Sequence, residues 1–117
     1  MKLAFSGHRD RIAKEEDILN IFSKYPDAVI MHGNAKGFDL QVHNIASKLG
    51  KQIISILPNY EHLGKNAPLI RNRQLIKDAD ILVALYDGRK YGGTYHTLNM
   101  AKKLNKPTII FQPIKSS

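Results

Sequence analysis

Hydrophobic residues along this chain form five short runs that are separated by segments of helical periodicity. Each run is rich in Ile, Val, Leu or aromatic residues and lacks a regular alternation of apolar and polar positions, which is typical of strands covered on both faces. The runs are Leu3–Phe5, Ala28–Met31, Ile53–Leu57, Ile81–Tyr86 and Thr108–Phe111. The pattern therefore predicts five strands of a buried, mainly parallel sheet.

Between these runs, apolar residues recur at the three- and four-residue spacing of an amphipathic helix. Ile18, Ile21 and Phe22, for example, fall on one face of the first such segment. Gly50 and Pro107 are typical of residues just beyond the end of a helix. The predicted helices cover residues 14–24, 38–49, 68–78 and 94–105.

The alternation of strands and helices predicts an α/β fold. Strands that are joined through helices are normally parallel, with right-handed crossovers. We therefore expect a Rossmann-like three-layer sandwich, with a five-stranded, mainly parallel sheet and helices on both faces. The 117 residues suit one domain that spans the whole chain. Only the end of the chain, residues 115–117, is predicted to be a frayed tail.

Composition narrows the chemistry that the chain can perform. It contains no cysteine, which excludes disulfides, thiolate metal ligands and a cysteine nucleophile. No apolar run approaches the roughly 18 residues of a membrane span. The short apolar stretch at the N-terminus is followed at once by charged residues, unlike a signal peptide. We therefore expect a cytoplasmic protein without a membrane partner.

The formal net charge of +8 at pH 7 favours anionic partners such as nucleotides or nucleic acids. The basic residues are spread along the chain, and no consecutive block of them resembles a nucleic-acid-binding tail. Charge alone is therefore better explained by an ordinary solvated surface.

The loop after the first strand contains residue types that suit a phosphate ligand. In open α/β sheets, ligands bind beyond the carboxyl ends of the strands. Ser6 offers a hydroxyl, Gly7 permits close approach of the backbone, and Arg9 offers a planar fork for phosphate or carboxylate. A turn with a solvated arginine explains so short a segment equally well.

The second loop carries two glycines, Gly33 and Gly37, before the second predicted helix, with Asp39 in the first turn of that helix. A glycine-rich turn of this kind exposes backbone N–H groups and the positive end of the helix dipole, which favours an anion. The loop is neither a Walker A loop nor a G-x-G-x-x-G turn. Asp39 would either bind a ribose hydroxyl or cap the helix.

The segment from Pro58 to Asn72 is long for a strand-to-helix connection, and long loops in compact domains are often functional. Tyr60 is suited to stacking on a base, while Arg71 and Asn72 are suited to contacting phosphate or sugar. The alternative is a surface loop in which the arginine makes an ordinary ion pair.

The fourth loop ends in Gly92, Gly93 and Thr94, immediately before the fourth predicted helix. Paired glycines allow a ligand to approach closely, and the threonine is able to cap the helix and donate to a phosphate. The tripeptide is common by chance, but at this position it is the strongest single indication of a ligand.

The histidines do not form a spaced pair that is typical of a metal site, and we predict neither a metal nor a cofactor. His8, His32 and His96 each follow a strand, a position that would allow them to converge on one site. His43 falls on the apolar face of a predicted helix and is expected to pack in or near the core.

Taken together, four spaced segments resemble the SLOG superfamily, and most closely its small YspA-like branch. The segments are S-G-H-R, H-G-N-A-K-G-F-D, P-N-Y-x-x-x-G-K-N-A-P-L-I-R-N and D-G-x-x-x-G-G-T. The resemblance runs from Leu3 to about Phe111 and implies a Rossmann-like domain that binds nucleotides or their derivatives. Relatives within the superfamily include the Lonely Guy phosphoribohydrolases, the DNA-processing protein A family and sensor domains of antiviral systems. By position, the resemblance implies ligand contacts at Gly7, Arg9, Gly33, Gly37, Asp39, Arg71, Asn72, Gly92, Gly93 and Thr94.

One departure from that resemblance bears on catalysis. Lonely Guy enzymes carry the motif P-G-G-x-G-T-x-x-E, whose glutamate acts in hydrolysis of the glycosidic bond. Here Thr94 is followed by Tyr95-His96-Thr97-Leu98, so no carboxylate occupies the matching place. Cleavage of an N-glycosidic bond usually needs a carboxylate. Binding is therefore favoured over turnover, and Asp39 is the best catalytic candidate if the protein is an enzyme.

Three functions follow, in decreasing order of support. The first is a binding or sensing module for a nucleotide or nucleotide-derived phosphate ligand at the C-terminal edge of the sheet. The second is a nucleotide-processing N-glycosidase, either a phosphoribohydrolase or a deoxyribosyltransferase-like enzyme. The third is single-stranded nucleic-acid binding, which the +8 charge and five tyrosines suggest. We also expect a homo-oligomer, because small Rossmann-like domains often pair through surface helices.

Overall fold

A computed structural model describes residues 1–114, and the predicted frayed tail at 115–117 lies outside the described residues. Within residues 1–114, five strands form one sheet in the order β3-β2-β1-β4-β5, and every neighbouring pair is parallel. The strands are β1 (Lys2–Gly7), β2 (Val29–His32), β3 (Ile53–Ser55), β4 (Ile81–Leu85) and β5 (Thr108–Phe111). The predicted α/β class and parallel sheet are confirmed.

The helices follow the predicted order, with one addition. They are α1 (Glu15–Lys24), α2 (Phe38–Lys48), α3 (Tyr60–Leu63), α4 (Ala67–Asp78) and α5 (Gly93–Lys103). The sequence did not predict α3, because a four-residue helix is too short to produce a hydrophobic period. The Asn59 side chain begins it by accepting from His62 N at 3.3 Å. A 3-10 turn then leads directly into α4.

The sheet is covered on both faces, as the unbroken apolar runs predict. Leu3 and Phe5 belong to the core on one face, where Ile18 of α1 and Val42 of α2 pack against them. Ala4, between them in β1, belongs to the core on the other face, which is covered by α4 and α5. This arrangement confirms the three-layer sandwich.

The connections place the ends of the strands where a ligand site is expected. The chain leaves β1 toward β2 and β3 on one side and later returns to β4 on the other side of β1. In parallel sheets a crevice forms at such a reversal, beyond the carboxyl ends of the strands. Among residues 1–114, no helix combines the length and the apolar character that crossing a bilayer requires.

Candidate functional site

A cavity of about 720 Å³ lies beyond the carboxyl ends of the central strands. Its volume falls within the roughly 300–1,000 Å³ that is usual for small-molecule sites. Residues from all four loops singled out in the sequence meet there, although they are far apart along the chain. Ten of the twelve residues predicted to bind a ligand line the cavity: Ser6, Gly7, Arg9, Asp39, Tyr60, Arg71, Asn72, Gly92, Gly93 and Thr94. Whether they bind a ligand stays a prediction, but their convergence makes a single site geometrically possible.

The other two predicted residues, Gly33 and Gly37, do not line the cavity and instead let its walls pack together. A Cβ atom on Gly33 would lie 2.5 Å from Cδ of Arg71. Gly37 has a left-handed φ of 74°, and a Cβ atom there would lie 2.5 Å from the backbone oxygen of Arg9. The structure therefore gives both glycines a packing role beside the cavity, since any side chain would displace a neighbouring wall.

Three consecutive backbone N–H groups of the second loop, those of residues 33–35, are already hydrogen-bonded within the protein. Asp39 Oδ2 accepts from Gly33 N at 3.1 Å and from Ala35 N at 3.2 Å. Between them, Asn34 N donates to His32 Nδ1 at 3.0 Å. The predicted exposure of these N–H groups to an anion is therefore wrong, because side chains of the protein take the place of the anion.

Asp39 holds this loop and also presents an unusual carboxyl group to the cavity. It does not cap α2, whose N-cap is Gly37 without a side-chain cap. Its side chain is buried, and Oδ1 has no hydrogen-bond partner within residues 1–114. Burial raises the pKa of Asp39 to about 6, against the opposing effects of the Ala35 amide and the Arg71 charge. A carboxyl group that titrates near neutrality in a cleft is typical of functional sites.

Arg71 packs directly against this loop and is held by two hydrogen bonds. Nη1 donates to the backbone oxygen of Gly33, and Nε donates to Oδ1 of Asn72 at 2.9 Å. Burial lowers the pKa of Arg71, while the Asp39 carboxyl opposes that change. The other N–H groups of the fork have no protein acceptor within residues 1–114 and remain suited to an anionic ligand.

In the second loop, side chains accept hydrogen bonds from backbone N–H groups, but the first turn of α5 has no such side-chain acceptor within residues 1–114. No acidic residue lies in this turn, and its N-cap, Gly92, has no side-chain cap. Thr94 lines the cavity without making a capping hydrogen bond, so its predicted capping role is wrong. A Cβ atom on Gly93 would meet only Nδ2 of Asn72, at 3.8 Å, and one on Gly92 would meet nothing within 4 Å. The space in front of this helix end is therefore open.

Not every cation near the cavity is equally available. Arg89 lines the cavity, but its guanidinium contacts Asp87 at 2.6 Å and Asp10 at 3.2 Å. The Arg89 hydrogen bonds hold the pKa of Asp87 well below its usual range. Arg9 and Lys36 also line the cavity, are exposed, and form no ion pair within the described part of the chain. The positive potential available to a ligand therefore comes mainly from Arg9, Lys36 and Arg71.

The three histidines that follow strands do not meet at one site. His8 lines the cavity, His32 is buried behind the second loop, and His96 is exposed on α5 outside the lining. His43 is half-buried and bonded to His32, which agrees with its predicted position near the core. Across residues 1–114, no group of three or more His, Asp or Glu side chains is arranged to hold a metal ion.

Sequence reasoning missed an apolar part of the lining. Leu57, Pro58, Pro68 and Leu69 line the cavity beside Tyr60, which is 61% exposed. The pattern assigned Leu57 to the third strand, but β3 ends at Ser55 and leaves this leucine 63% exposed. Exposed leucines beside an aromatic ring form a surface suited to the flat face of a base.

Comparison with known proteins adds no family assignment. A scan of protein-family models finds no match to this chain, and a search of curated proteins finds none. The resemblance to the SLOG superfamily therefore stays a prediction. Because many unrelated functions share Rossmann-like folds, the fold alone does not identify the ligand, and any functional inference rests on the cavity.

Proposed function

We propose that this chain binds a nucleotide or nucleotide-derived phosphate ligand in the cavity at the C-terminal edge of the sheet, as a binding or sensing module. The observation that supports this best is the open first turn of α5 beside Arg71 and Asn72. The cavity is large enough for a nucleotide, and three of its cations have no carboxylate within ion-pairing distance in residues 1–114.

The phosphate binds at the N-terminus of α5. The N–H groups of a first helical turn and the helix dipole favour an anion. Glycine at position 93 leaves the approach open, and Asn72 Nδ2 faces the same space. Arg71 supplies charge-assisted hydrogen bonds, which are stronger than neutral ones.

The remainder of the ligand fits the other walls. Tyr60, Leu57 and Leu69 offer an exposed aromatic and aliphatic surface for a base. Oδ1 of Asp39, which is buried without a partner within residues 1–114, is an acceptor for a sugar hydroxyl. A ligand with a phosphate, a sugar and a base therefore fits the cavity better than an inorganic anion does.

Ligand-induced stabilisation tests this function. A thermal-shift panel of nucleoside mono- and diphosphates, ADP-ribose, NAD and cyclic nucleotides should contain at least one stabilising ligand, and its nucleoside without phosphate should bind at least about tenfold more weakly. Arg71→Ala should weaken that ligand about tenfold or more through loss of charged hydrogen bonds. Arg73→Ala is the matched control, since Arg73 is exposed on the same helix and outside the lining. A panel without any stabilising ligand would contradict the proposal.

A second candidate function is N-glycosidic bond cleavage, and the Asp39 carboxyl is the observation that favours it. A carboxyl group with a pKa of about 6, buried in the cavity, is suited to donating or accepting a proton in glycoside hydrolysis. Free base released from nucleoside monophosphates would be measured by chromatography. Asp39→Asn should abolish release while ligand-induced stabilisation persists. Absence of release from every common monophosphate would rule this activity out.

A further inference from the structure

His32 is fully buried at the carboxyl end of β2, and protein atoms surround both of its ring nitrogens. Nδ1 accepts from Asn34 N at 3.0 Å, while Nε2 lies 2.9 Å from His43 Nδ1 and 3.1 Å from Ser55 Oγ. His32 does not line the cavity, but Asn34 does. Any influence of His32 on the cavity therefore passes through the loop that follows it.

The hydrogen-bond pattern fixes where the protons of the histidine pair reside. Asn34 N can only donate, so His32 Nδ1 must be unprotonated and the ring proton must be on Nε2. That proton points at His43 Nδ1, which must then accept, so neutral His43 carries its own proton on Nε2. His32 Nε2 and His43 Nδ1, which face each other, thus share one proton. A second proton, on His43 Nδ1 or on His32 Nδ1, would make one hydrogen-bond donor face another.

The groups around His32 come from three elements. His43 lies on α2, Ser55 on β3 and Arg71 on α4. Burial is the main reason that the pKa of His32 is lowered to about 4, and the charges of His43 and Arg71 add to the effect. The surroundings therefore favour the neutral form of His32 that its hydrogen bond from Asn34 N requires.

Asp39 is the titratable carboxyl group of the same loop, but its protonation does not break the loop. Its Oδ2 accepts from Gly33 N and Ala35 N, whereas its Oδ1 has no partner within residues 1–114. A proton that binds to Oδ1 leaves both hydrogen bonds in place. Proton uptake by the histidine pair, in contrast, removes the acceptor from Asn34.

We propose that His32 is a positioning residue for the cavity: its unprotonated Nδ1 holds Asn34 in place and so keeps the wall formed by residues 34–36 in its binding shape. Asn34 has a left-handed φ of 59°, a conformation that costs free energy and needs to be held. When the pair takes up a proton, this hydrogen bond is lost and ligand affinity falls. The link to affinity rests on the proposed function, while the link to the loop does not.

Two substitutions of His32 distinguish the role of Nδ1 from that of Nε2. His32→Asn places an amide oxygen near the position of Nδ1, so it keeps the acceptor for Asn34 and removes the titratable ring. His32→Gln extends toward His43 and offers no acceptor at the Nδ1 position. At pH 7.5 we expect His32→Asn to bind ligand nearly as tightly as the wild type, and His32→Gln about fivefold more weakly or worse.

The pH profile provides the readout that a merely structural role would not change. Between pH 7.5 and 3.5, affinity should fall about twofold or more further in the wild type than in His32→Asn, because the pKa of His32 is about 4 and only the wild type can take up the disruptive proton. Titration of Asp39 and of the ligand phosphate occurs in both proteins and cancels in this comparison. Far-UV circular dichroism at each pH verifies that both remain folded. Equal pH profiles would overturn the proposal.

A ligand-free measurement keeps this proposal distinct from the proposed function. In ¹⁵N-histidine-labelled wild-type protein, NMR should show neutral His32 with its proton on Nε2, and the Asn34 amide signal should shift with the protonation of His32. The positioning role would be refuted, even if a ligand binds, by a proton on Nδ1 of the neutral ring. It would also be refuted if the Asn34 amide signal did not shift as His32 is protonated. The expected spectra without binding of any ligand at pH 7.5 would instead refute the proposed function.

Discussion

The two glycine-rich turns that precede α2 and α5 look alike in sequence but differ in what their N–H groups contact. In the turn before α2, side chains of Asp39 and His32 accept from three consecutive N–H groups. In the turn before α5, no acidic residue lies in the first helical turn, and the space beside Gly93 is open. Glycine content therefore does not distinguish a turn whose N–H groups are already hydrogen-bonded from one whose N–H groups are left open. A carboxylate two residues into the helix does, because it provides the anion from within the chain.

Close packing in the turn before α2 should make the fold sensitive to any side chain at position 37. Gly37→Ala should destabilise the protein by about 4 kcal/mol, because strain at positive φ adds to a clash with the backbone oxygen of Arg9. Gly92→Ala is the matched control, since Gly92 also has a positive φ but no neighbour within 4 Å of a Cβ atom. Urea unfolding should show a loss about 2 kcal/mol smaller for Gly92→Ala. Equal losses would mean that close packing at Gly37 is unimportant.

Asp39 should make stability pH-dependent. Its pKa in the folded protein, about 6, lies above the ordinary value of 3.8, so the folded state binds this proton more tightly than the unfolded state. Stability from this group is present below pH 3.8 and is lost as the pH rises through about 6, by up to about 3 kcal/mol.

Asp39→Asn should remove this loss while still offering an oxygen to Gly33 N and Ala35 N. As the pH rises from 4 to 8, the unfolding free energy of the wild type should therefore fall relative to that of Asp39→Asn. His32 acts in the opposite direction, because its pKa is lowered and its contribution is lost as the pH falls from 6.5 toward 4. If the difference in unfolding free energy between wild type and variant did not vary with pH, burial would not be raising the pKa of Asp39.

Substitution of Gly93, at the start of α5, should change ligand affinity and leave stability nearly unchanged. Gly93→Val fills the open space in front of the helix and should reduce ligand affinity about a hundredfold or more, because the phosphate can no longer approach the N–H groups. Gly93→Ala should have a smaller effect, since its nearest neighbour would be 3.8 Å away. Titration calorimetry together with thermal unfolding separates the two quantities. Retained affinity in Gly93→Val would place the phosphate elsewhere.

The fold was largely predictable from sequence, because it depends on local patterns. Runs such as Ile81–Tyr86 identify strands, and the spacing of Ile18, Ile21 and Phe22 identifies a helix. The short helix α3 has no such pattern and was missed. The positions of the loops also followed from the order of the elements, since parallel strands end at one edge.

The hydrogen bonding within the site was not predictable in the same way. Arg71 donates to Gly33, which lies 38 residues away, and the contact depends on how α4 packs against the end of β2. Asp39 was expected to cap its own helix or bind a ribose, but its partners are amides that precede it in the chain. The contact between His32 and His43 was likewise not predictable from the sequence, because the two residues meet only when α2 packs on the sheet. Such contacts depend on tertiary packing, which residue spacing does not encode.

The exposed charge of Lys36 should contribute less to ligand binding than Arg71 or the N-terminus of α5. Lys36 lies beside the turn that already contains a carboxylate, is exposed, and lines the cavity without an ion pair within residues 1–114. Lys36→Gln should weaken ligand binding by only about two- to threefold at low ionic strength, and the effect should nearly vanish at high salt because exposed charges are screened. Lys48→Gln, an exposed site at the other end of α2, removes the same charge outside the lining and should have a smaller effect. Calorimetry at two salt concentrations measures both variants, and a loss for Lys36→Gln as large as that for Arg71→Ala would mean that the phosphate lies at α2 and not at α5.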